Sequence, residues 1–394
     1  IILGSVALGL AFGGVLAMMP QIQNWRKPMG VVIAADKLEA LIARIFEHTE
    51  CDRAEAKRIA HYLMDANLTG HDSHGVLRTS RYVSWLEQGL FSAGRSIKVV
   101  SENPAMAVLD GDYGMGHTVA EQAVEFGLER AKQTGCFIVA LRNAGHIGRV
   151  GSWAIKAAEA GFVSVHFANA RGSVLVAPFG GTEKRFSTAP FCVGVPRKDE
   201  PPVILDFATS VVAEGKVMVA AKGGKGLPDG ALIDEKGELS TDPETLYGAA
   251  GPDAPVAQRN GKGAIRAFGD HKGSGLALMC ELLGGALTGN GTAGPPGRPF
   301  ANGMLSIYID AATMDDQGGF AAEVAEYVNF VTSSNPADPA KPVLVPGDPE
   351  RATKAERLAN GVPLADDAWA SIQDTARKVG INDTDIATIS GQSA

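Results

Sequence analysis

The chain has 394 residues, 45% hydrophobic and 20% charged, an ordinary globular balance with room for two or three packed units. A net charge of −8, with no run of Lys or Arg, argues against a nucleic-acid partner. Cys51, Cys136, Cys192 and Cys280 lie far apart in apolar surroundings, at no metal-ligand or redox spacing, as reduced core thiols of a cytoplasmic protein do.

In chain order, residues 1–19 come first, uncharged and nearly all apolar. As a helix they would span roughly 28 Å, close to the hydrocarbon thickness of a bilayer. Arg26 and Lys27 follow, so an anchor would leave the rest of the chain on the cytoplasmic side. The alternative is an upstream extension ahead of Met29. Either way residues 1–29 stand apart from a catalytic unit over 30–394. Helical periodicity covers residues 35–48 and 53–68, and a helix capped by Asp72 or Ser73 runs on past Tyr82. A strand at 105–109, a glycine-rich turn and a helix over 117–132 lead to a buried strand at 137–141 and a helix over 153–160. This alternation is an α/β pattern. Residues 178–202 read as strands and turns, 210–221 as a helix, 223–269 as loop-rich, and 272–287 as one apolar helix. A strand at 304–309, a helix over 319–331 and a proline-rich wrap over 334–349 complete the pattern.

Two segments carry chemistry. In Gly70-His-Asp-Ser-His-Gly-Val-Leu-Arg-Thr-Ser-Arg-Tyr82, read as a helix, His71, His74, Arg78 and Tyr82 share one face where a core stripe would be apolar. Imidazole exchanges a proton near neutral pH and guanidinium grips a carboxylate with two hydrogen bonds, so the face suits a small carboxylic acid. Arg78 is the natural clamp, or else a surface helix arginine. Tyr82 either binds substrate or is an amphipathic core residue. His71 reads as supporting structure, and His48, His61, His117 and His166 as structural or exposed. In Leu141-Arg-Asn-Ala-Gly-His-Ile-Gly-Arg-Val-Gly-Ser-Trp153, His146 sits where a strand hands over to a helix, the usual ligand position of an α/β enzyme. No further ligand stands at metal spacing from His71 and His74, so no metal site is expected. Gly111, Gly114 and Gly116 make an incomplete dinucleotide fingerprint, lacking its third glycine and acidic partner.

Together the two segments resemble the type-2 malate/L-lactate dehydrogenase family of NAD(P)-dependent 2-hydroxyacid oxidoreductases. The likeness runs from about Val31 to the C-terminus. It is also carried by Ala160-Gly-Phe-Val-Ser-Val-His-Phe167, Ala177-Pro-Phe-Gly-Gly181, Leu205-Asp-Phe-Ala-Thr-Ser210, His271-Lys-Gly273, Met279-Cys-Glu-Leu-Leu-Gly-Gly-Ala-Leu287 and Val345-Pro-Gly-Asp348. The resemblance implies a non-Rossmann NAD(P)-binding α/β fold with interleaved helical and mixed-sheet subdomains. It also implies a homodimer, NAD or NADP as cofactor, and as substrate a small 2-oxo or 2-hydroxy acid: 2-oxoglutarate, an aryl pyruvate, or an acid of the malate or lactate type.

By the same resemblance His74 and His146 both line the site. One of them acts as proton donor, with His74 favoured because it shares a face with Arg78, and Ser73 and an aspartate orient it. Cofactor contacts are implied for His74, Gly148, Arg149, Val150, Leu205, Asp206, Phe207, Ala208, His271, Lys272, Gly273, Asn302, Gly347 and Asp348. Asp206 accepts from a ribose or fixes an imidazole tautomer; its plain alternative is a helix cap. Arg149 pairs with a diphosphate or is a solvated loop charge. Ala189 replaces the asparagine of many relatives, and Arg171 stands where specificity for substrate or a cofactor phosphate could change. Reduction of a cyclic imino acid is the alternative activity. A silent, membrane-tethered binding protein is the alternative of another class.

Overall fold

The computed structural model describes residues 30–221, 226–249 and 259–392, so the apolar run 1–19 lies outside it. Among the described residues no helix is long and apolar enough to cross a membrane.

The apolar stripe of α1 (Ala35–Glu47), with Leu38, Leu41, Ile42, Ile45 and Phe46 all buried, meets Ile59 and Leu63 of α2 (Arg53–Leu68). Asp52 starts α2 by accepting the Glu55 backbone N–H, one of the four donors a helix N-terminus leaves unpaired. Around this pair pack α3 (Thr79–Glu87), α12 (Asp366–Lys378) and α13 (Asp383–Ser390). An antiparallel ribbon of β1 (Gly30–Ile33) and β13 (Val362–Ala365) ties the start of the described chain to the strand that leads into α12.

A second core lies under a seven-stranded sheet, built of β2 (Lys98–Asn103), β3 (Met106–Asp110), β4 (Cys136–Ala144), β5 (Phe162–Arg171), β7 (Pro190–Arg197), β8 (Glu200–Ala208) and β12 (Ala301–Asp310). Their order is β2-β3-β4-β12-β5-β7-β8. β3 and β4 pair in parallel and every other neighbour is antiparallel. Val119, Val124 and Leu128 of α4 (Gly116–Thr134) and Trp153 of α5 (Gly151–Glu159) pack against Phe137, Val139 and Tyr308 from the sheet. A third, smaller core sits within the four-stranded sheet β10 (Leu239–Ser240), β9 (Leu232–Ile233), β11 (Ala264–Arg266) and β6 (Val176–Ala177). It is closed by α6 (Glu214–Ala221) and α7 (Glu244–Tyr247). Four more helices follow, α8 (His271–Cys280), α9 (Ala311–Met314), α10 (Phe320–Thr332) and α11 (Asp348–Asn360). The fold is the expected α/β arrangement, with helical and mixed-sheet parts interleaved along the chain.

Two elements differ from expectation. Residues 70–82 do not make one helix. Two 3-10 turns, Asp72–His74 and Val76–Arg78, flank an extended Gly75 before α3 begins. The cause is Asn67 at the end of α2, whose side chain accepts the Val76 N–H at 2.7 Å and donates to Asp72 at 2.6 Å. A Cβ on Gly75 would overlap that side chain. The apolar run 272–287 also changes character, passing from α8 into a π turn over Glu281–Leu287.

The glycines of the look-alike fingerprint have another use. Gly114 accepts the Gly145 N–H at 3.0 Å, and a Cβ on Gly116 would overlap the carbonyl of His146. They let the loop carrying His146 lie directly on the start of α4.

Candidate active site

His74 closes the first 3-10 turn and His146 sits in the loop after β4, yet their rings stack with centroids 5.5 Å apart. Ser73 Oγ lies 3.1 Å from Nδ1 of His74. Tyr82 is buried on α3 and its hydroxyl lies 2.5 Å from Nδ1 of His146. Arg78, half-buried, donates from Nε to the Ser73 carbonyl at 2.6 Å, which leaves both terminal nitrogens of its guanidinium free to hold an anion. The segment beginning at Gly70 and the loop at His146 thus form one cluster of two imidazoles, one guanidinium and two hydroxyls. Tyr82 is engaged with His146, where the sequence offered only substrate contact or core packing.

Burial, then the charge of Arg78, lowers the pKa of His74 to about 3. The same two causes hold His146 well below its ordinary value. Both rings are therefore neutral at pH 7 in the free protein. Burial raises the Tyr82 phenol, so it keeps its proton and either donates to Nδ1 of His146 or accepts from it, according to the imidazole tautomer. His117 lies near Tyr82 with ring centroids 5.9 Å apart, buried and with neither nitrogen hydrogen-bonded among the described residues. His166 is buried between Ser164 and Ser306, while His71 faces Glu350 at 3.5 Å.

A second group adjoins the first. Asp206 near the end of β8 accepts the backbone N–H of Gly151 at 2.7 Å, capping α5 from a different strand. It touches neither imidazole in the described hydrogen bonds, so the cap is its observed role here and tautomer control is not. Arg149 is neither solvated nor turned outward. Its guanidinium is buried between Asp65 (3.2 Å) and Asp206 (3.7 Å). Gly148 has φ +70° and lies against His117, while Val150 is buried in the sheet core. Asn302 accepts the Ile147 N–H at 3.0 Å and donates to the Asn169 carbonyl at 2.7 Å, holding the loop just after His146.

The remaining expected contacts line an edge of the molecule. Leu205 is 36% exposed, and Phe207, next to Ala208, meets Phe268 with ring centroids 5.2 Å apart. Three residues beyond Phe268, His271 and Lys272 stand exposed at the positive end of α8, and Gly273 packs on the Phe268 carbonyl. Gly347, at φ +100°, opens α11 beside Ile204, and Asp348 accepts the Val345 N–H at 2.8 Å. Leu205 and Phe207 thus offer apolar surface on the side of β8 that meets Phe268, a few residues before the N-terminus of α8. Arg171 is engaged otherwise, donating to the carbonyls of Pro299 and Asn290 and to the Tyr113 hydroxyl. Ala189 is fully buried at φ +22°, in the left-handed region that asparagine tolerates better.

Sequence reasoning missed Asp65, Asn67, Arg81 and the pair Glu214–Arg259. The first three sit within helical stretches that looked ordinary; Asp65 meets Arg149 and Lys354 from far along the chain, and Asn67 meets Asp72 and Val76 on the turns that follow it.

The malate/L-lactate dehydrogenase family model matches residues 33–373. Hydroxycarboxylate dehydrogenase B of Escherichia coli K12 is 40% identical over 354 residues, 88% of this chain and 94% of that protein. The structure of sulfolactate dehydrogenase from Methanocaldococcus jannaschii is 30% identical, with a TM-score of 0.77 over 89% of this chain and 98% of its own. The structure of delta1-piperideine-2-carboxylate reductase from Pseudomonas syringae is 27% identical, with a TM-score of 0.73 over 88% and 100%. The chain belongs to the malate/L-lactate dehydrogenase family, nicotinamide-dependent oxidoreductases of 2-hydroxy acids.

Proposed function

We propose that this enzyme reduces a 2-oxo acid to the 2-hydroxy acid, and runs the reverse oxidation, as a cytoplasmic homodimer whose catalytic unit is residues 30–394. The observation that carries this reading is the stacked His74–His146 pair beside the half-free guanidinium of Arg78. Bound NADH or NADPH supplies a hydride to the carbonyl carbon, and one proton completes the alcohol. Arg78 holds the substrate carboxylate through its terminal nitrogens. His74 delivers the proton, because the Ser73 hydroxyl beside its Nδ1 can either donate or accept and so follows the ring through both protonation states. We assign Tyr82 as donor to Nδ1 of His146, whose Nε2 hydrogen then donates to the carbonyl oxygen as charge builds there.

The substrate anion itself prepares the donor. Its charge offsets that of Arg78, removing one cause of the low His74 pKa, so binding favours protonation of His74. The dimer reading is supported by Leu278, Met279, Leu282 and Leu287, all exposed on α8 and the turn that continues it. Four free cysteines support a reducing compartment.

The test is a panel of 2-oxo acids and cyclic imino acids followed by loss of reduced-nicotinamide absorbance with each cofactor. Turnover of oxo acids is expected. Turnover of cyclic imines alone would replace this reading with the reductase one. Arg78→Ala should lower kcat/KM about 100- to 1000-fold while leaving NAD(P)H affinity largely intact. His74→Asn should lower kcat about 100-fold or more. Unchanged turnover in Arg78→Ala would remove the clamp. Sedimentation at twice the 41.0 kDa chain mass is the expected result for the dimer.

A further inference from the structure

The helix α11 is amphipathic in reverse. None of its side chains is buried, and Leu358 is 58% exposed. Its half-buried stripe includes Glu350, Lys354 and Arg357, at offsets of zero, four and seven, where a packed surface helix would be apolar. Apolar burial therefore does not set its place, and charge-assisted bonds do. Glu350 faces His71 at 3.5 Å, and Lys354 donates to Asp65 at 2.7 Å. Arg357 donates to both carboxylate oxygens of Asp72, at 2.5 and 3.1 Å, and to the Asn67 carbonyl.

These partners lead to both imidazoles of the site. Asp72 lies in the 3-10 turn that His74 closes, and it also accepts the Asn67 amide that shapes that turn. Asp65 accepts from Arg149 at 3.2 Å, three residues beyond His146 on the same loop. One helix thus reaches the His74 turn from Arg357 through Asp72, and the His146 loop from Lys354 through Asp65 and Arg149. The 5.5 Å stack of the two rings is set by where those two segments lie.

We infer that α11 clamps the active site from outside, with Arg357 and Lys354 as positioning residues that hold the His74 turn and the His146 loop in register. The inference rests on the proposed function for its reaction and on these bonds for its geometry. A misplacement of about 1 Å by a change far from the chemistry can lower a rate about 100-fold, so a loosened clamp should show in turnover before it shows in the fold. Arg357 stands roughly 14 Å along the helix from Asp348, the end where cofactor contact is expected, so cofactor affinity should not follow it.

The experiment measures kcat, KM and NAD(P)H affinity, with an oxo acid that the wild type reduces, in Arg357→Gln, Arg357→Lys, Lys354→Gln and, on the exposed face, Glu356→Gln. Arg357→Gln and Lys354→Gln should each lower kcat about 10- to 100-fold with NAD(P)H affinity unchanged. Arg357→Lys keeps the charge and should recover part of the loss, while Glu356→Gln should match the wild type. The deciding protein combines Arg357→Gln with His74→Asn. A residue that acts through His74 then has nothing left to position, so kcat should differ less than about twofold from that of His74→Asn alone. A full further loss in that background, or wild-type kcat in Arg357→Gln, would overturn the inference. Histidine Cε1–H resonances give a reading without turnover: Arg357→Gln should move that of His74 and leave that of His166, held between Ser164 and Ser306. Neither moving, or both moving, would overturn the clamp. No reduction of any oxo acid by the wild type, with the His74 resonance alone still moved, would remove the proposed function and leave the clamp standing. Should Arg357→Gln fail to fold, Arg357→Lys and Lys354→Gln carry the same comparisons.

Discussion

Gly148 holds φ at +70° with its backbone against Nε2 of His117, so a Cβ at this position would overlap the imidazole. Neither side can yield easily. The backbone is in the region that costs a β-carbon about 1–2 kcal/mol, and the ring is buried with Tyr62 stacked on it at 5.6 Å. Forcing a methyl group into a packed core costs about 1–3 kcal/mol more. Gly148→Ala should therefore destabilise the fold by roughly 2–5 kcal/mol, read as a lower urea midpoint. Activity should fall too, because His146 lies only two residues upstream on the same loop. A loss under about 1 kcal/mol would mean that His117 moves aside freely, against the packing described here.

Among the elements, the π turn after α8 is built around a single side chain. Glu281 is buried, and its carboxylate accepts four hydrogen bonds: the N–H and hydroxyl of Ser187 at 3.0 and 2.6 Å, the Asn169 amide at 3.0 Å, and the Ala293 N–H at 2.8 Å. Gly284 and Gly285 allow the widened turn to approach Phe167 and Asn169 of β5, where a Cβ would collide. Glu281→Ala leaves two buried backbone N–H groups without an acceptor, while the Asn169 amide keeps only the Gly291 carbonyl, a cost of about 3–5 kcal/mol. The measurement is the thermal or urea midpoint, and an unchanged midpoint would show that water replaces the carboxylate. A glutamate inside an apolar run was the visible signal here, but its four partners come from positions 169, 187 and 293. Periodicity records a helix and cannot record what a helix must bend to satisfy. The same limit hid the break at Gly75. Spacing put His71, His74, Arg78 and Tyr82 on one helical face, but the Asn67 side chain, bonded to Asp72 and Val76, breaks that helix, so His74 and Arg78 close two 3-10 turns and Tyr82 lies on α3. His74, Arg78 and Tyr82 still converge, because the turns keep roughly helical direction.

At the scale of the whole molecule, the chain order of strands conceals where the sheet is completed. β12 arrives last and inserts between β4 and β5, with Leu305 facing Ala140 on one side and Phe167 on the other. Strand existence was legible from apolar runs, whereas this insertion depends on pairing between segments some 150 residues apart. The result seals polar rings inside. His117 and His166 are fully buried, with pKa values lowered to about 3 by burial. His74 is lowered to about 3 by burial and Arg78, and His146 well below its usual value by the same causes. In the unfolded chain each would take its proton near 6.5. A folded value below the unfolded one means that this stability is complete above about pH 6.5. As the pH falls from there toward 3, the unfolded state gains protons that the folded state refuses. His117 and His166 should each withdraw up to about 1.4 kcal/mol per pH unit across that window. His61, whose pKa is raised by its bond to Glu39, works the other way and offsets part of the loss. Urea midpoints at fixed protein concentration should thus drop steeply from pH 7 to 5, before carboxylates such as Glu121 and Glu350, lowered by their partners, begin to titrate. His166→Gln should flatten that slope even if it lowers stability at pH 7, since it removes one group that the fold refuses to protonate. A pH-independent midpoint between 7 and 5 would mean that water reaches these rings and that the sheet closes less tightly over them than its registers imply.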